Sequence, residues 1–84
     1  SLLGVYIQSE VHTKKGRADA FIVHKNNIYC LEFKLDQSAE KAINQIESRG
    51  YMKQYESTGK KLHKIGLNIN SSLKAIDEVI WKKS

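Results

Sequence analysis

The chain has 84 residues, of which 40% are apolar and 27% charged, with one cysteine and no proline. That is enough for one small core, a single domain over residues 1–84, and the charge is too mixed for a disordered segment. The formal net charge of +5, from 14 Lys and Arg against 9 Asp and Glu, favours polyanionic partners weakly, and no run of basic residues is long enough to make a tail. No segment approaches the length of a membrane span, and no signal-peptide pattern is present. Cys30, alone in an apolar run, rules out an internal disulfide and any zinc-type cysteine spacing. A buried, inert thiol and a reducing, cytoplasmic setting are expected. The small size and the abrupt apolar start without Met lead us to expect a piece of a longer chain.

In chain order, residues 1–4 (SLLG) suit the tail of a helix stopped at Gly4. Residues 5–12 (VYIQSEVH) alternate loosely as a first strand, and residues 13–16 (TKKG) form a turn. Residues 17–24 (RADAFIVH) are a second strand, residues 25–27 (KNN) a tight turn, and residues 28–35 (IYCLEFKL) a third strand. A helix follows, with Ser38 as N-cap, Glu40 in its first turn and an apolar stripe of Ala39, Ala42, Ile43 and Ile46. Gly50 is its stop, and residues 51–57 (YMKQYES) continue as a further turn or short helix. After a loop at residues 58–61, residues 62–69 (LHKIGLNI) alternate as a fourth strand. Residues 70–72 are a turn, and residues 77–83 (DEVIWKK) fit either an edge strand or a short helix. The pattern predicts an α/β (α+β) domain. An antiparallel meander of three strands is followed by a crossover helix, a parallel fourth strand and a fifth strand if the last segment is one.

The chemistry concentrates in the second and third strands. On the third, Ile28, Cys30, Glu32 and Lys34 share one face, and Tyr29, Leu31, Phe33 and Leu35 share the other. The second face is wholly apolar and is expected to pack against something. The first begins apolar and ends charged, as if covered at one end and open to a cleft at the other. With the turn centred near Asn26, position 19 pairs roughly with position 33, which makes Asp19 and Glu32 neighbours. Two carboxylates that close repel unless one is protonated or a cation is shared. A hard cation such as Mg²⁺ takes oxygen ligands and keeps several waters, and Lys34 could hold an attacking water beside it. The plainer alternative is a solvated sheet face on which Glu32 and Lys34 form a weak ion pair. His12, His24 and His63 share no ligand spacing and are expected to be surface or partly buried structural residues.

The segments "GRAD" and "LEFKLD", an acid before "TKKGRAD", "SAEKAINQI" followed by "RGY", and "GKKLHKIGLNI" together resemble the PD-(D/E)XK nuclease superfamily. The nearer likeness is to the nuclease-like C-terminal domain of AAA-ATPase-like prokaryotic proteins, over residues 5–81. The resemblance implies a restriction-endonuclease-like core whose N-terminal helix is largely missing here. It implies that Asp19 and Glu32 are metal ligands, that the Phe33 carbonyl is in reach of the same metal, and that Lys34 positions or activates water. Gln45 and Tyr51 match polar positions on and after the helix that line such a site, and Glu10 matches a further acid. Ala18 stands where the superfamily's name has proline.

The function expected on this basis is Mg²⁺-dependent hydrolysis of DNA phosphodiester bonds, with Mn²⁺ able to substitute. The expected setting is a parent chain that carries an ATPase-like domain upstream. The alternatives are an inactive nuclease-like module that binds nucleic acid or a protein partner, and an interaction domain closed as a homo-oligomer.

Overall fold

The computed structural model describes residues 4–13 and 16–84. Residues 1–3, most of the expected helix remnant, and the middle of the first turn lie outside them. The elements are β1 (Val5–Thr13), β2 (Gly16–His24), β3 (Asn27–Leu35), α1 (Ala39–Ser48), a 3-10 turn (Lys53–Thr58), β4 (Lys61–Asn70) and β5 (Ala75–Lys83). They build one five-stranded sheet in the order β1-β2-β3-β4-β5. Every pair is antiparallel except β3–β4, which is parallel. A parallel neighbour needs a long crossover, and α1 supplies it. The last segment, which fitted strand or helix equally, is a strand because β4 offers its outer edge to it from His63 to Asn70.

β2 and β3 are joined by a two-residue turn, with His24 opposite Asn27 and Lys25 at φ 53°. The ladder therefore sets Ala20 opposite Leu31, one residue away from the register expected from the sequence. Asp19 falls across from Glu32 itself. Placing the turn half a residue too late accounts for the difference.

α1 is held at both ends. Ser38 Oγ accepts from Lys41 N at 3.1 Å, and Glu78 Oε1 of β5 accepts from Ala39 N at 2.9 Å, so two of the unpaired N-terminal amides are satisfied. At the other end Gly50 takes φ 61°, its amide donates to the Glu47 carbonyl, and the Tyr51 amide donates to the Ile46 carbonyl. This is the Schellman arrangement, and it turns Tyr51 back beneath the helix.

The stripe Ala39, Ala42, Ile43 and Ile46 is fully buried, as expected. Ile43 and Ile46 join Ala18, Phe21, Ile28, Cys30, Tyr51, Met52 and Leu62 in the core. Gly66 lets the helix come down: a β-carbon there would lie 2.6 Å from the Ala39 carbonyl oxygen. The helix thus covers the face of β3 that carries Ile28, Cys30 and Glu32. The wholly apolar face, expected to be packed, is the one left open. Leu35 is 58% exposed on it, and Val79 and Trp81 of β5 are exposed there too. The reason is steric, because the glycine that admits a helix backbone points to the Glu32 side.

Candidate active site

The β2–β3 ladder ends at Ala20 and Leu31, and side chains take over its next bonds. Asp19 Oδ2 accepts from Phe33 N at 2.8 Å, and Glu32 Oε2 accepts from Asp19 N at 3.2 Å. Each acid is thus held by the other strand's backbone. From α1, Gln45 reaches down between two charges. Its Nε2 donates to Glu32 Oε1 at 2.6 Å, and its Oε1 accepts from Lys34 Nζ at 2.6 Å. Only this amide orientation sets an N–H against a carboxylate and a carbonyl against an ammonium. The same Nε2 donates to the Tyr51 hydroxyl at 3.2 Å. Five of the six residues singled out from the sequence, Asp19, Glu32, Lys34, Gln45 and Tyr51, thus form one bonded group. Lys34 spends its charge on Gln45, not on the ion pair with Glu32 that a solvated face would show.

Glu32 is 4% exposed and Tyr51 1%, while Asp19, Lys34 and Gln45 are half-buried. The group therefore sits where the covered sheet opens to solvent. Burial pushes the Glu32 carboxyl above the usual carboxylate range, and the neighbouring Asp19 charge raises it further. The Asp19 amide, Lys34 and Arg17 pull it partly back. Cys30, one pleat away, is wholly buried, and its thiol is pushed up to about 12 by burial and then by Glu32 and Asp19. It is the inert thiol that the sequence led us to expect.

A family model of the PD-(D/E)XK nuclease superfamily matches residues 1–79. The chain belongs to that superfamily. It is also 26% identical over 76 residues to a protein of Azotobacter chroococcum mcd 1 described as an uncharacterized protein in the vnfD 5′ region. That match covers 88% of this chain and 15% of the relative's length, so the chain spans a small part of that protein.

The donor set of this group fits a hard divalent cation. Two carboxylates stand side by side, one of them buried and carrying a like-charge penalty that a cation would relieve. Among the described residues no cluster of three or more Asp, Glu, His or Cys forms, so a cation held there would take at most these two carboxylates from the described side chains of that kind.

Glu10, the sixth residue, lies on β1 between the pairs Ser9–Ala20 and Val11–Ala18, hence opposite Asp19 of β2. It is exposed, takes φ 51°, and bonds to none of the five. His63, by contrast, is buried on the other side of the sheet, between Asn27 and Trp81. Sequence reasoning missed two supporting residues. Asn68, opposite Lys34 on β4, accepts from Gln37 N at 2.9 Å and donates to Asp77, so it clamps the connection between β3 and α1. Gly66 sets the helix height, and a lone glycine inside the alternating LHKIGLNI run was the available signal.

Among the described residues, no helix is long and apolar enough to cross a membrane.

Proposed function

We propose that this nuclease-superfamily chain hydrolyses phosphodiester bonds of DNA with Mg²⁺ as its cation and Mn²⁺ as a substitute. The observation that carries the reading is the unbroken bond path from Asp19 through Glu32 and Gln45 to Lys34. Asp19 and Glu32 hold the cation, which when bound supplies charge neutralisation at the phosphoryl oxygens. Lys34 presents an N–H at the mouth of the site, where it orients the attacking water and offsets developing negative charge. Gln45 ties Lys34 to Glu32, so the amine and the carboxylate keep one geometry. Tyr51, fixed by the helix end, holds the Gln45 amide. Dispersed lysines contact the backbone without reading bases, which makes binding salt-sensitive and sequence-poor. The activity belongs in a reducing cytoplasm, within a longer polypeptide that carries an ATPase-like domain upstream. The much greater length of the Azotobacter relative supports the longer polypeptide.

The test joins calorimetry with cleavage. Mn²⁺ should bind the unmodified chain and fail to bind Asp19→Ala or Glu32→Ala. Lys34→Ala should keep DNA binding and lose about a hundred- to ten-thousand-fold in cleavage rate. Unchanged cleavage by Lys34→Ala would remove its assigned role. A folded chain that binds no Mn²⁺ would overturn the hydrolytic reading in favour of a binding module.

A further inference from the structure

Two acids at one site repel a polyanionic substrate, and Lys34 is already engaged by Gln45. A backbone phosphate needs another cation at the mouth. Arg49 follows α1 directly, with its amide bonded to the Gln45 carbonyl at 3.0 Å and its backbone fixed at φ −85°, ψ −8° as the C-cap. Its side chain crosses to the start of β2. A β-carbon on Gly16 would lie 3.3 Å from Arg49 Nη1 and 3.5 Å from the Tyr51 hydroxyl. The guanidinium and the hydroxyl therefore both pack against Gly16, and that hydroxyl is bonded to Gln45, which is bonded to Glu32. Arg49 is exposed. Among the described residues the ion pairs are Lys64–Glu47 and Lys82–Glu47, so no carboxylate consumes the Arg49 charge. Arg17, beside Gly16 in the chain, is also exposed, and its charge is felt at Glu32.

We infer that Arg49 is a phosphate-binding residue of the site, contacting non-bridging oxygens of the nucleic-acid backbone from its exposed position at the mouth. This rests on the phosphodiester reading above and names the side chain that receives the substrate. Guanidinium suits the task because its planar fork meets two phosphate oxygens at once, whereas an ammonium acts as a point charge. Gly16 matters because the β-carbon it lacks lets the guanidinium and the Tyr51 ring lie this close to β2.

The test is the anisotropy of a short fluorescent DNA duplex, titrated in EDTA across a salt series so that no divalent cation contributes. Arg49→Ala should weaken binding about tenfold and make the plot of log affinity against log salt shallower by about one released counterion. Arg49→Gln, which keeps most of the stem, should lose as much, and Arg49→Lys should restore the slope. Lys60→Ala removes the same charge at the opposite end of the sheet, where Lys60 donates to the Lys25 carbonyl, and should lose several-fold less affinity than Arg49→Ala. Circular dichroism of each variant checks the fold. If Arg49→Ala and Arg49→Gln bind as the unmodified chain does, or lose no more than Lys60→Ala, the inference is overturned. If binding depends on Arg49 but the unmodified chain cleaves nothing, the hydrolytic reading falls and the phosphate contact stands.

Discussion

Asp19 and Glu32 stand together at a cost to the fold. The folded Glu32 carboxyl lies above its ordinary value of 4.5, first because it is buried and then because Asp19 is near. Between 4.5 and that raised value the folded chain keeps a proton that the unfolded chain has released. This contribution is therefore fully favourable below the ordinary range and is lost as pH rises through the raised value. Asp19→Asn removes the like charge and can still accept from Phe33 N through its amide oxygen. It should raise Tm at neutral pH in EDTA and abolish the further rise expected of the unmodified chain with Mn²⁺. Thermal melts with and without Mn²⁺ read both effects, and a lower Tm in EDTA would mean that the pair is not repulsive. At this scale the two acids and Lys34 were legible, because strand alternation set Glu32 and Lys34 on one face and the turn brought Asp19 across. Gln45 and Tyr51 were legible only through the family resemblance. Nothing in periodicity distinguishes a glutamine that bridges two charges from one that faces water.

Among the elements, α1 decides whether the site exists. Its stripe and both ends could be read from Ser38, the alanine and isoleucine spacing, and Gly50. Its height above the sheet could not, because that depends on Gly66 meeting the Ala39 carbonyl and Ile43 across the crossover. A methyl group at position 66 would lie 2.6 Å from backbone oxygen and 2.8 Å from Ile43 Cγ1, so the helix would have to lift. Gly66→Ala should therefore destabilise the chain by about 1–3 kcal/mol in urea denaturation. It should also weaken Mn²⁺ binding, since Gln45 would move away from Glu32. Unchanged stability and cation affinity would show that α1 does not rest on β4 at that point. β5 was ambiguous for a different reason. Its residues suit either state, and the pairing edge of β4 decided between them.

Across the whole molecule, one sheet face carries the helix and the site, and the other carries an aromatic cluster. There Tyr29 stacks on His63 with ring centroids 4.3 Å apart, and Trp81 Nε1 donates to His63 Nδ1 at 2.9 Å. A tryptophan N–H is only a donor, so Nδ1 is the acceptor and Nε2 carries the proton that goes to Asn27 Oδ1 at 2.8 Å. Neutral His63 is the form that fits. Burial, then Lys83 and Lys61, hold its pKa below the ordinary 6.5. The stability it contributes is present above 6.5 and is lost as pH falls through the lowered value, opposite in sign to Glu32. Trp81 is the chain's one tryptophan. Its emission should change on acidification with a midpoint below 6.5, together with a fall in Tm. Emission that stays constant between about pH 8 and pH 5 would contradict the assigned tautomer and its bonds.

Local chemistry was enough to determine the order of the elements up to the fourth strand, the N-cap, the glycine stop, the parallel crossover and the acids of the hairpin. Each depends on neighbours within a few residues or on a short turn. Three matters required the tertiary structure: which sheet face the helix covers, the register that sets Asp19 against Glu32, and the joining of Lys34 to Glu32 through Gln45. These depend on contacts between distant segments, where one missing β-carbon at Gly66 or a one-residue shift in a turn changes which side chains meet.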